Sequence, residues 1–148
     1  MFRSCSTKVR AVVLAVVVVV LSAMGWWYAN RAAVSQNKGG TVPDVDPETF
    51  ASIQARGKPG ILEFYTTTCP YCKMMEPVLS RISREYGSQI FVVKMNAEKY
   101  PQQAGKYQIP GVPTLVFFGA SGEPKALAAG YREYESLLDI LRGLELIR

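Results

Sequence analysis

The sequence predicts one α/β domain behind a single membrane-spanning helix, and three observations carry that prediction. Residues 11–29 contain no charged side chain. From residue 44 onward, short apolar runs alternate with helix-like stretches bounded by Pro and Gly. Between the first apolar run and the helix-like stretch after it stands Cys69-Pro70-Tyr71-Cys72.

The apolar segment comes first. Residues 11–29 include five successive valines, Val16 to Val20, and as a helix would span about 28 Å, close to the hydrocarbon thickness of a bilayer. Trp26, Trp27 and Tyr28 close it as an interfacial aromatic belt would. The run is longer than an ordinary signal-peptide core, and bulky aromatics stand where cleavage needs small residues, so it reads as a retained signal-anchor. Arg3, Lys8 and Arg10 on the near side against Arg31 and Lys38 on the far side keep residues 1–10 in the cytoplasm and place the domain in a periplasm or an equivalent oxidising compartment. Cys5 falls on the cytoplasmic side, where it cannot join the other two cysteines. Residues 30–43, polar and with Gly39-Gly40, form a flexible linker, and the domain occupies 44–148.

Within the domain, Asp46-Pro47-Glu48 is a helix start, with an acidic cap, Pro in the first turn and a further acid. That helix carries Phe50 and Ile53 and ends near Gly57. Ile61 to Tyr65 is a buried strand interrupted by one acid, Glu63. A helix follows from Pro70 to Tyr86, stopped by Gly87. The pattern then predicts a strand over 89–96, a short helix around 98–107, a strand over 114–118, a turn over 119–124, a weaker strand near 125–129 and a final helix over 133–147.

The net charge of +5 lies entirely in the first forty residues, which hold five basic side chains and no acid. The remainder balances twelve basic residues against twelve acidic ones, so it has no excess of basic charge for a nucleic-acid partner. The chain has no histidine, which excludes a Cys-His hydrolase, and the domain has only two cysteines, too few for a closed four-ligand zinc site within one copy.

By itself a C-x-x-C pair is compatible with a redox dithiol, half a metal site or coincidence. Its place between a buried strand and a helix start favours redox chemistry, because a helix N-terminus lowers the pKa of a thiol. Cys69 is then the nucleophile and Cys72, one turn into the helix, the resolving thiol.

Four motifs in order make residues after 43 resemble thioredoxin. Cys69-Pro70-Tyr71-Cys72-Lys73-Met74-Met75-Glu76-Pro77 is similar to the family's active-site helix, including its internal proline. Lys94-Met95-Asn96-Ala97-Glu98 and Lys106-Tyr107-Gln108-Ile109 match the following strand and short helix. Gly111-Val112-Pro113-Thr114 stands where the family carries its cis-proline loop, and Gly130 where a glycine precedes the last helix. The resemblance implies a thioredoxin-like fold, a central mixed β-sheet flanked by helices. It implies a protein-disulfide oxidoreductase working through a reversible Cys69–Cys72 disulfide, without cofactor or metal. Substrate would lie against Pro70, Tyr71, Val112, Pro113 and Thr114.

Glu63 stands where thioredoxins carry a buried aspartate, and Lys94 on the neighbouring strand is its expected partner. Together they would relay the proton of Cys72. Tyr65 replaces a family tryptophan and is expected to pack. The Pro-Tyr pair between the cysteines departs from the Gly-Pro of thioredoxins and resembles glutaredoxins and some periplasmic Dsb-type proteins. Gly130-Tyr131-Arg132-Glu133 lacks the glutathione-holding pattern of glutaredoxins. The expected function is disulfide exchange with protein substrates outside the cytoplasm, as a reductase, served by a membrane electron-transfer or re-oxidising partner. The alternatives are a soft-metal (copper) carrier, although copper carriers of this fold depend on a histidine, or a redox-inactive binding module.

Overall fold

In the computed structural model, Val20 and residues 41–148 are described. The expected tail 1–10, the apolar segment 11–29 apart from Val20, and residues 30–40 of the expected linker lie outside the described residues. Among the described residues no helix is long and apolar enough to cross a membrane.

The chain runs through α1 (Pro47–Gln54), β1 (Gly60–Tyr65), α2 (Pro70–Tyr86), β2 (Phe91–Asn96), α3 (Pro101–Lys106), β3 (Thr114–Phe118), β4 (Pro124–Ala129) and α4 (Tyr134–Gly143). The strands form one sheet in the order β2-β1-β3-β4, with β1 parallel to β2 and antiparallel to β3, and β4 antiparallel to β3. The α/β class and the mixed sheet are therefore as the resemblance implied.

Successive residues of a strand face opposite sides, and this divides the core in two. Ile61, Val92, Leu115 and Phe117 pack under Met75, Leu79 and Ile82 of α2 and Leu137, Leu138 and Leu141 of α4. Leu62, Phe64, Val93, Met95, Val116 and Phe118 turn to the other face, with Phe50 of α1 and with Ala104 and Tyr107 at α3. Phe50 meets Phe118 edge-on at 5.3 Å between ring centroids, and Tyr107 meets Phe118 at 5.5 Å. Each fully buried aliphatic or aromatic side chain contributes roughly 1.5–3 kcal/mol. Glu63 shares the face of Ile61, and Lys94 shares the face of Val92, so both side chains start out toward α2.

Several boundaries differ from the expectation, each for a local reason. Val42 is buried, and the strand-like stretch 43–45 pairs with β2: Lys94 N–H donates to the Pro43 carbonyl at 2.8 Å and Val45 N–H to the Lys94 carbonyl at 2.9 Å. Ordered packing therefore begins before residue 44. Gln89 and Ile90, expected in β2, both donate to the Tyr86 carbonyl and finish the end of α2. Gly87 keeps a helical φ of −60°, and its carbonyl accepts from the Lys58 ammonium, one way of satisfying a helix end. Residues 98–100, expected in α3, form a turn instead, in which Asn96 Oδ1 accepts from the N–H groups of Glu98 and Lys99. The last helix stops at Gly143. Glu145 takes a φ of 57°, and Leu146 N–H bonds the Leu141 carbonyl, which folds Leu146 and Ile147 back into the core.

Candidate active site at the start of α2

β1 delivers the chain to Cys69, which is the N-cap of the 17-residue helix α2. Pro70 occupies the first turn, where its missing N–H leaves no bond unmade. The Cys72 N–H points back at Cys69 Sγ, 3.1 Å away, so the sulfur sits in the place of a capping oxygen at the positive end of the helix. Cys69 and Cys72 are joined as a disulfide with Cα atoms 5.3 Å apart. Both are buried, while Tyr71 and Met74 on the first turn are half exposed.

The Val112–Pro113 peptide is cis. The loop that carries it is closed by Thr114 Oγ1 donating to the Gly111 carbonyl at 2.6 Å, and by Gly130 N–H donating to the Pro113 carbonyl at 2.8 Å. Gly130 has a φ of 82°, a region that glycine enters without penalty. Thr114 is the register partner of Phe64, so β3 begins where β1 ends, and residues 111–113 leave the same end of the sheet as the segment leading to Cys69.

Beside Cys72 lies a pocket of about 170 Å³, lined among others by Cys72, Glu63, Tyr65, Glu76 and Lys94. Glu63 is 2% exposed, and its Oε1 has no hydrogen-bond partner among the described residues. Burial pushes its carboxyl from the ordinary 4.5 up to about 8; the Lys94 charge opposes the shift and the Glu76 charge adds to it. Glu63 and Cys72 therefore line one cavity, as a proton relay requires.

The expected Glu63–Lys94 pair is not made. The two residues are register partners on adjacent strands, but the Lys94 ammonium lies 2.9 Å from Glu76 Oε1 on α2. A lysine stem is long enough to run past Glu63 and bring its charge to the wetter carboxylate, which spares the cost of desolvating an ion pair. Lys94 also lies over the Tyr65 ring, 5.2 Å from its centroid. Tyr65 does more than pack: its hydroxyl donates to Asp44 Oδ2 at 2.8 Å. Burial and then the Asp44 bond push the phenol up to about 12.

Sequence reasoning assigned no role to Glu76, although a signal was present. Glu76 follows Cys72 by four residues, so one helical turn places both on the same face of α2. Among the described residues no group of three or more Cys, Asp and Glu is arranged to hold a metal ion.

The family model for thioredoxin matches residues 41–143. A thioredoxin-like protein of Synechocystis is 39% identical over 94 residues, covering 63% of this chain and 89% of its own. The bifunctional thioredoxin reductase/thioredoxin of Mycobacterium leprae is 32% identical over 104 residues, covering 70% of this chain, which thus spans only 22% of that longer protein. The crystal structure of chloroplastic thioredoxin z superposes with a TM-score of 0.64 at 23% identity, over 72% of this chain and 96% of that one, a likeness of fold.

Proposed function

The chain belongs to the thioredoxin family, and we propose that it is a membrane-tethered protein-disulfide reductase acting outside the cytoplasm. The observation that carries the chemistry is the Cys69–Cys72 disulfide at the N-terminus of α2, with Glu63 in the cavity behind Cys72. The apolar, charge-free residues 11–29 and the basic residues before them support the tether and its orientation. Likeness to thioredoxins, one of them part of a bifunctional thioredoxin reductase/thioredoxin, supports the reductive direction.

In the reduced protein, the Cys69 thiolate is held by the helix dipole and by the Cys72 N–H. It attacks one sulfur of the substrate disulfide, the substrate S–S bond breaks, and the other substrate sulfur leaves as a thiol after taking a proton. Glu63 accepts the proton of Cys72, the Cys72 thiolate attacks Cys69 Sγ, and the mixed disulfide breaks. The second substrate sulfur leaves as a thiolate that takes a proton from solvent, to which Glu63 returns its own. The substrate gains the two electrons that the Cys69–Cys72 pair gives up. A carboxyl with a pKa near 8 can accept a proton in this direction and return it in the reverse one. Pro70, Tyr71 and the Val112–Pro113–Thr114 segment would bind the substrate peptide, with the backbone at Val112 offering strand-like hydrogen bonds.

Three measurements on the full chain test this reading. The Cys72→Ser variant should accumulate mixed disulfides with other proteins, and the Cys69→Ser variant should not. A membrane-impermeant thiol reagent should reach reduced Cys69 in spheroplasts. The Cys69/Cys72 couple should have a potential near the value of about −270 mV for thioredoxin rather than about −120 mV. Absence of any reversible couple would return the pair to metal carriage.

A further inference from the structure

In the pocket behind Cys72, the pairing among Glu63, Glu76 and Lys94 is not the one that register favours. Glu63 and Lys94 stand opposite each other on β1 and β2 and begin on the same face, yet the ammonium is bonded to Glu76. Glu63 Oε1 stays buried and without a hydrogen bond. We propose that Glu76 is a positioning residue for the proton step of disulfide exchange. By holding the Lys94 ammonium on α2, it keeps the Glu63 carboxyl unpaired and able to exchange a proton with Cys72.

The groups around Glu63 make Glu76 the residue that decides this. β2 offers Lys94, α2 offers Cys72, Lys73 and Glu76, and β1 itself offers Tyr65. The register partner on β3 is the apolar Leu115, and α4 covers this face of the sheet with leucines. The Tyr65 hydroxyl is engaged by Asp44. Lys73 is on the exposed side of α2, and the Lys94 ammonium is the cation that lies 2.9 Å from Glu76. The raised pKa of Glu63 agrees with this arrangement, since Lys94 acts on it less than burial does and Glu76 reinforces the rise.

If Glu76 loses its charge, Lys94 can turn to its register partner, and an ion pair there stabilises the carboxylate form of Glu63. An opposite charge within hydrogen-bonding reach lowers a carboxyl pKa by about 1–3 units. The proton of Cys72 would then go to a weaker base. In the reverse direction, the Cys72 thiolate would find an ionised carboxylate with no proton to give.

The inference rests on Glu63 serving Cys72 as proton partner, and the test separates the two claims. The full chain, labelled with carbon-13 at the glutamate carboxyls and held in detergent micelles in its disulfide form, is titrated by NMR as the natural protein, as Glu76→Gln, and as Glu76→Gln with Lys94→Met. The Glu63 midpoint should fall by about 1–3 pH units in Glu76→Gln and return when Lys94 is also removed. The pH profile for reduction of a disulfide peptide should move by the same amount. Glu76 is partly exposed, so the variant is expected to fold. An unmoved Glu63 midpoint overturns the positioning role of Glu76; a natural profile that still follows Glu63 then keeps the relay. A natural profile that does not follow Glu63 overturns relay and positioning together.

Discussion

Glu63 is the residue at which burial and chemistry meet. Below about pH 4.5 both the folded and the unfolded chain hold its proton. Between 4.5 and about 8 the folded chain keeps a proton that the unfolded chain has released. Stability therefore falls as pH rises through that window and levels off above it. The total loss is on the order of 5 kcal/mol. Glu63→Gln should abolish this decline: urea unfolding of the disulfide form should find the variant clearly more stable than the natural chain in mild alkali and nearly equal to it in mild acid. An unchanged pH dependence would mean that the folded protein carries Glu63 ionised. The same variant should reduce disulfide substrates more slowly at neutral pH, by up to about 100-fold if Glu63 is the proton acceptor. Reading Glu63 from the chain was possible because an acid inside an apolar strand is conspicuous. That its Oε1 has no hydrogen bond was not readable, since nothing in the order of residues says that the Lys94 ammonium will end at Glu76.

At the scale of elements, the turn from β1 to α2 makes the site, and packing at Gly60, where β1 enters between β2 and β3, keeps β1 in place. Gly60 is the register partner of Phe91 on β2 and of Phe118 on β3. A Cβ there would come within 2.4 Å of the Phe91 ring, which also packs against Phe50 and Phe118. The ring cannot withdraw without disturbing that cluster, so Gly60→Ala should cost about 1–3 kcal/mol as overpacking. Chemical denaturation of the two proteins would check it, and a loss below a few tenths of a kcal/mol would show that the ring moves freely. The extents of β1, α2 and β3 were legible because each is bounded by Pro, Gly or a clean change of period. The ends of β2, α3 and α4 were not. Gln89, Ile90, Glu98, Lys99 and Leu146 have side chains suited to the elements they were assigned to, and they leave them because their N–H groups find other acceptors.

At the scale of the whole molecule, the folded unit extends to Val42, which lies in the core under α2 and α4. A fragment of residues 41–148 should be more stable than one of residues 45–148 by at least the 1.5–3 kcal/mol or so expected for a buried valine, because the shorter one also loses the Lys94–Pro43 bond. Equal unfolding midpoints would place Val42 outside the cooperative core. Sequence alone determined the α/β class, the family, the cysteine pair with its helix, and the acid six residues before it, because each depends on local spacing and on residue type. Val42 escaped that reading as a single apolar residue with no period around it. Tertiary structure alone decided that Glu63 and Cys72 share one pocket and that the Lys94 charge lies with Glu76. Those facts depend on which side chains from β1, β2 and α2 converge, and on which of two carboxylates, the buried Glu63 or the more exposed Glu76, a long cation reaches. Charge pairing between elements is a competition among several partners at once, and only the packed structure holds all of them.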